Sequence, residues 1–162
     1  MPFERKRMIK YIEKTPITQG WSDDYKYFAL GADGKKYLLR VTPGKINPDF
    51  ITLFEAQKKC ASIISAAENI PMQQVPMSIP IECGKLDDIH AFCDDIRQHT
   101  EGTYAVYAWA DGGAAEPAVA VMPAAEQYAF GLRAGRVLKY IHEVPAPDLS
   151  LIHISEPTRP IS

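Results

Sequence analysis

The sequence predicts an α+β domain in which an antiparallel sheet is accompanied by one long helix. Aromatic and strand-forming residues fill positions 25–30. After an Asp33-Gly34 turn, a second apolar run fills positions 36–42, a pattern typical of a β-hairpin. Residues 47–68 carry apolar side chains at the three- and four-residue spacing of a helix. A further apolar strand pattern lies at residues 103–109.

Length, composition and charge limit the class of protein. The chain has 162 residues, enough for one domain with a hydrophobic core, and 46% of them are hydrophobic and 23% charged. The formal net charge of −2 gives no overall field that favours nucleic acid or an anionic membrane, so neither is expected as a partner. No segment has the apolar length of a signal peptide or of a membrane span. Three cysteines without a CxxC pair suit a reducing compartment, and we therefore predict a cytoplasmic protein.

The N-terminal elements follow from local patterns. Residues 1–14 are predicted to form a separate N-terminal helix, because Met8, Ile9 and Ile12 share one side of a helical pattern. A strand is predicted at residues 17–21, ahead of the hairpin. The long helix has a clear start, since Asn47 is a favourable N-cap and Pro48 suits the first helical position.

The second half of the chain is predicted in four parts. A connection punctuated by proline covers residues 71–80, with a short edge strand at residues 79–81. Residues 85–101 alternate apolar side chains with acidic pairs at near-helical spacing. This favours an amphipathic surface helix with a solvated acidic face over a carboxylate metal site. A last helix is predicted at residues 123–142. The glycines at positions 131 and 135 indicate close packing against a neighbouring element.

Two further features bear on how the chain is interpreted. Cys83, His90, Cys93 and His99 lie near one another in sequence, but their irregular spacing favours ordinary thiols and imidazoles over a zinc site. Residues 149–159 resemble the translated sequence of a sequencing-library adapter, and the alternative is an ordinary loop that ends in proline. On the first interpretation, residues 149–162 are an artefactual tail and the natural reading frame breaks near codon 148.

Two groups of residues are candidates for holding a phosphate. The Gly20-Trp21-Ser22 turn offers backbone N–H groups and the Ser22 hydroxyl, although one glycine at a strand end is usually only a turn. Arg40 ends an apolar strand, where a cation loses hydration unless it meets an anion. Glu55 on the following helix is an available partner. The alternative is that Arg40 faces solvent and Glu55 is ordinary helix surface.

Several motifs together resemble the aminoglycoside phosphotransferase family, within the protein-kinase-like fold. They are the segment 18–40, Glu55 in its helix, Trp109-Ala110-Asp111-Gly112, and the segment from Glu126-Gln127-Tyr128 to Pro145-Ala146-Pro147. The resemblance covers about residues 11–148. It implies a kinase-like small lobe at residues 15–108, with a hinge and the start of a large lobe at residues 109–148. The implied fold is therefore an incomplete kinase-like N-terminal lobe, followed by the first helix of the large lobe.

The resemblance also implies roles for individual residues. Gly20, Trp21 and Ser22 would form the loop that covers the phosphates of ATP. Arg40 would stand in the position of the kinase strand lysine, and Glu55 in that of its helix partner. The backbone of the hinge, Ala108, Trp109 and Ala110, would hydrogen-bond adenine.

The implied enzyme transfers the γ-phosphoryl group of ATP to a hydroxyl of a small molecule, with aminoglycosides as the substrate class and Mg²⁺ as the metal. The family uses a His-x-Asp catalytic loop, a downstream Asn and a metal-binding Asp, and nothing after Asp148 resembles them. No catalytic or metal-binding residue is therefore assigned, and the chain is expected to be an inactive fragment of such an enzyme. The alternative function is a non-catalytic module that binds a nucleotide or a partner.

Overall fold

A five-stranded sheet forms the centre of the molecule, in the computed structural model that describes residues 9–20, 22–66, 78–89, 91–96 and 98–143. The strands lie in the order β1-β2-β3-β5-β4, and all neighbours pair antiparallel. They are β1 Tyr11–Pro16, β2 Tyr25–Gly31, β3 Lys36–Pro43, β4 Pro80–Lys85 and β5 Gly102–Ala108. The α+β class predicted from the sequence is confirmed, and the sheet with its helix is consistent with an incomplete kinase-like N-terminal lobe.

The helices follow the sheet in two groups. Helix α1 spans Phe50–Ala66 between β3 and β4, while α2 (Ala115–Val121) and α3 (Ala124–Glu143) follow β5. Two short 3-10 helices, Leu86–Ile89 and Asp94–Ile96, lie between β4 and β5. None of the helices in the described part of the chain is long and apolar enough to span a membrane.

The predicted hairpin and the start of the long helix are confirmed in detail. At the turn between β2 and β3, the Gly34 N–H donates to the Gly31 carbonyl at 2.9 Å. Gly34 adopts a φ of 75°, which side-chain-bearing residues rarely adopt. Before α1, the Asn47 Oδ1 accepts a hydrogen bond from the Asp49 N–H at 2.9 Å, as expected of an N-cap.

The predicted N-terminal helix is wrong where the structure describes it. Residues 11–16 form strand β1, which pairs with β2 from Pro16↔Tyr27 to Tyr11↔Gly31. The strand that was predicted at residues 17–21 therefore lies nearer the N-terminus than expected. Residues 1–8 lie outside the described part of the chain. The apolar pattern that resembled a helix face is used at a sheet edge, where β2 supplies hydrogen-bonding partners for the backbone.

The core lies between one face of the sheet and the two 3-10 helices. Alternate strand residues point into it, among them Leu39 and Val41 of β3 and Val106 of β5, which are fully buried. From the other side come the apolar residues of the 3-10 region: Leu86, Ile89, Cys93 and Ile96. The predicted amphipathic surface helix over residues 85–101 is therefore wrong. Its apolar residues cover the sheet through two short turns rather than along one continuous helix.

The acidic residues of this region hold it to β1. The Asp95 carboxylate accepts hydrogen bonds from the Lys14 ammonium and, at 2.7 Å, from the Tyr27 hydroxyl. Asp94 lies 3.3 Å from the same ammonium. Burial of Asp95 opposes its ionisation, but the hydrogen bonds from Lys14 and Tyr27 outweigh it and hold the pKa of Asp95 below its usual range. The acidic face is therefore partly an internal contact.

The lowered pKa of Asp95 predicts how stability depends on pH. Because its pKa is lower in the folded state than in the unfolded state, Asp95 stabilises the fold above its unfolded pKa of about 4, and this contribution is lost as pH falls through the folded pKa. The unfolding free energy should therefore fall less between about pH 6 and about pH 3 in Asp95→Asn than in the unmodified chain. Urea denaturation at both pH values measures this. Asp94→Asn, at the more exposed carboxylate, is the matched control, and an equal effect of the two variants would contradict the assignment.

Helix α3 confirms the helix predicted at residues 123–142 but not its close packing. Among the described residues, a Cβ built on Gly131 or Gly135 would meet no atom within 4 Å outside the neighbouring backbone of the helix itself. The helix has no buried residue, and Tyr128 is 71% exposed. Together with Leu132, these residues line an open apolar groove on α3. Helix α2, immediately before it, was not predicted.

Candidate functional site

The candidate site lies on the face of the sheet opposite the core, and we call it the site face. Alternate residues of the central strands belong to this face, because Lys26 of β2 pairs with Arg40 of β3 and Arg40 with Ala105 of β5. Helix α1 covers part of it, since the ring of Phe54 lies 6.1 Å from that of Tyr107. The rest of the site face is open around Lys26 and Arg40.

The predicted glycine turn lies beside this open area. Gly20 has a φ of 117°, a conformation in which a side chain is strained, and a Cβ built on it would meet the Lys26 ammonium at 2.3 Å. That ammonium donates to the Gln19 carbonyl at 3.2 Å and so lies over the turn. A cleft of about 330 Å³ opens here and is lined by Gly20, Ser22 and Lys26, among others. Trp21 lies outside the described residues.

Arg40 and Glu55 do not form the expected pair. The Nε and Nη2 groups of Arg40 both contact Asp24 Oδ2. Glu55 is exposed on α1 and takes part in none of the salt bridges between described residues. The sequence argument correctly held that Arg40 meets an anion, but it chose the wrong anion.

Asp24 is the site residue that sequence reasoning missed. Burial of Asp24 opposes its ionisation, but hydrogen bonds from Thr42, Arg40 and Ser22 outweigh it and lower its pKa. A signal for this pairing was present in the hairpin register. Since Tyr25 pairs with Val41 and Lys26 with Arg40, the residue before Tyr25 falls diagonally opposite Arg40 on the same face.

The predicted hinge makes its own hydrogen bonds with the sheet. The Ala108 N–H donates to the Ile79 carbonyl at 2.8 Å, and the Trp109 N–H donates to the Lys36 carbonyl at 3.3 Å. Neither N–H is therefore available to adenine. Within the described residues, the Ala110 N–H makes no backbone hydrogen bond and is the remaining donor of the three. The Trp109 ring packs edge-on against Phe28, with 5.0 Å between ring centroids, beside the same face.

The metal interpretations find no support in the described residues. They contain no group of three or more His, Cys, Asp or Glu side chains that could hold a metal ion. Cys93 is fully buried in the core, and burial raises the pKa of its thiol to about 11. His90, another member of the weighed zinc set, lies outside the described residues.

The arrangement is suited to binding an anion. Lys26 and Arg40 stand directly opposite each other on neighbouring strands, a placement that is unfavourable for like charges unless an anion compensates. Asp24 supplies one negative charge, and among the described residues Lys26 forms no salt bridge. The glycine turn adds the Ser22 hydroxyl to the cleft beside Lys26, whose lining also includes Asp24 and Asp95 but not Arg40.

Comparison with known proteins identifies a family for the chain. The family model described as "APH: Phosphotransferase enzyme family" matches residues 13–161. That range includes the sheet from Glu13 onward and the three α-helices of the described residues. It also includes residues 149–161 of the predicted artefactual tail, which lie outside the described part of the chain. No curated protein and no solved structure matches the sequence.

Proposed function

The chain belongs to the phosphotransferase enzyme family, and from this premise we propose that it is the nucleotide-holding part of an ATP-dependent phosphotransferase. The parent enzyme is proposed to act on a hydroxyl of a small molecule of the aminoglycoside class, in the cytoplasm. Residues 15–108 form the small lobe in this proposal, and residues 109–148 form the hinge and the start of the large lobe.

The pair of cations on the site face is the observation that carries the proposal. Phosphoryl transfer depends on cations and backbone donors that hold the phosphates in position. Arg40 and Lys26 face each other across β2 and β3, and the Gly20 turn lies beside Lys26. Gly20 keeps this approach open, since its backbone conformation and the nearby ammonium both disfavour a side chain. Ser22 adds a hydroxyl donor at the mouth of the cleft.

The adenine base is assigned to the hinge with fewer contacts than the sequence predicted. The Ala110 N–H is the remaining donor for a base, because those of Ala108 and Trp109 are used within the sheet. Phe28 and Trp109 supply an apolar surface beside it. The described residues contain no group of three or more His, Cys, Asp or Glu side chains that could hold a metal ion, and we assign Mg²⁺ binding to the intact parent.

We expect no phosphotransfer from these 162 residues alone. The sequence contains no His-x-Asp motif, so neither the base that orients the acceptor hydroxyl nor its companion metal ligands are identified. The alternative, a non-catalytic partner-binding module, is favoured by one observation, the exposed apolar groove on α3. Sequencing the gene beyond codon 148 distinguishes the two, because an in-frame His-x-Asp loop supports the enzyme and a genuine stop codon supports the module.

Nucleotide binding tests the proposal on the chain itself. We expect ADP to bind weakly, because the large lobe that would close over it is not identified in this sequence. We also expect the amide resonances of Gly20, Ser22, Arg40 and Ala110 to shift during an NMR titration. Adenosine should shift only the Ala110 region, since it has no phosphate.

The pattern of shifts decides the outcome. Shifts confined to α3, or no shift at any resonance of the site face, would count against a nucleotide site. Tight binding of ADP by the monomeric chain would instead favour the non-catalytic nucleotide-binding module.

A further inference from the structure

Asp24 joins the glycine turn to strand β3. Its side chain is only 10% exposed although it lies near the open part of the site face. Two nitrogens of Arg40, on β3, contact its carboxylate. Ser22, in the turn, and Thr42, on β3, help to lower its pKa. A largely covered carboxylate that contacts a guanidinium through two nitrogens restricts the orientation of that guanidinium.

The contact uses one edge of the Arg40 guanidinium. The group has five N–H donors in a planar fork, and Nε and Nη2 share its side edge. Both of these nitrogens contact Asp24 Oδ2. The end edge, formed by Nη1 and the second Nη2 hydrogen, is not involved in this contact and keeps its donors for a ligand. The Arg40 side chain remains 46% exposed, so its end edge can reach a ligand.

We propose that Asp24, and not Glu55, is the positioning residue that orients the Arg40 guanidinium so that its end edge binds a phosphate of the nucleotide. This inference rests on the proposed nucleotide site. It changes the source of the orienting carboxylate from helix α1, which the family resemblance implied, to the glycine turn itself. The turn and the cation are then linked, because Asp24 follows Ser22 by two residues and contacts Arg40.

Asp24 could instead compete with the phosphate for Arg40, since both are anions. The hydrogen bonds favour positioning. The carboxylate of Asp24 occupies the side edge of Arg40 and its side chain is largely covered, so a phosphate at the end edge need not displace it. Releasing Arg40 would leave a long side chain to be ordered by the nucleotide alone, which weakens binding.

Two variants of the 162-residue chain test the inference. In the free protein, the Arg40 Nε–H resonance should be protected from exchange with water. Asp24→Asn should remove that protection and weaken ADP binding by about three- to tenfold, the cost of ordering one long side chain. It should leave adenosine binding unchanged, because adenosine carries no phosphate, whereas general damage to the fold would weaken both ligands. Glu55→Gln should leave the protection intact and ADP affinity within about twofold, because Glu55 forms no salt bridge with Arg40.

The outcomes separate this inference from the proposed function. If the unmodified chain shows no shift of its site-face resonances with ADP, the nucleotide site and this inference both fail. If it binds ADP, a loss of affinity in Glu55→Gln, or an unchanged or increased affinity in Asp24→Asn, overturns the positioning role alone. Glu55 is exposed, so its variant should fold. If Asp24→Asn does not fold, an unprotected Arg40 Nε–H in the unmodified chain still overturns the positioning role of Asp24.

Discussion

Replacing Arg40 with alanine is expected to weaken ADP binding by roughly 10- to 100-fold, the largest effect on ligand binding of any single change proposed here. The reason is that a hydrogen bond between charged partners contributes more than a neutral one, and the end edge of this guanidinium can donate two to a phosphate. Titration calorimetry or NMR with ADP measures the change. In the intact parent enzyme the same variant should lower phosphotransfer strongly.

The controls for Arg40 separate charge from geometry. Lys45→Ala removes an equal charge from an exposed position in the loop after β3 and should change ADP affinity little, because exposed charges are screened by salt. Arg40→Lys keeps the charge but not the fork, and should give an intermediate affinity. The fold should lose only about 1 kcal/mol in Arg40→Ala, since the ion pair is partly exposed. Unchanged ADP affinity in this variant would remove Arg40 from the site.

The largest effect on stability is expected from Ile96→Ala. Ile96 is fully buried against the sheet, and truncating such a side chain costs about 2–5 kcal/mol, a large share of the stability of a domain of this size. Ile51→Ala is a matched control, because the same truncation is made at a side chain that is 48% exposed and should change stability by about 0.5 kcal/mol or less. Urea denaturation measures both.

This comparison also tests the placement of the 3-10 region. If the second 3-10 helix did not pack on the sheet, Ile96→Ala and Ile51→Ala would have similar, small effects. A loss of less than about 1 kcal/mol for Ile96→Ala would show that the second 3-10 helix does not pack on the sheet.

Elements with local signals were predicted well. The hairpin was found because Asp33-Gly34 specifies the turn, and α1 was found because Asn47 and Pro48 mark its start. Strand β5 was found from its apolar run, and β4 was correctly placed at an edge of the sheet, although it is longer than predicted. In each case, the residues that determine the element lie within it.

The errors arose where distant residues decide the structure. The spacing of Leu86, Ile89 and Ile96 suits one amphipathic helix as well as two short turns, and only the sheet surface they cover selects the turns. Residues 11–16 have weak strand character of their own, and pairing with β2 makes them a strand. The partner of Arg40 depended on strand register, which places Asp24 closer to it than a residue on a separate helix.

Strand β3 has one face in the core and one face at the site, so residues that affect folding and residues that affect binding alternate along it. Substitutions at Leu39 and Val41 would be constrained by the interior, whereas Leu38 and Thr42, with side chains on the opposite side, are much less so. Descendants of a common ancestor could therefore diversify the ligands they accept through every second residue of this strand. A library randomised only at those positions should yield mostly well-folded proteins.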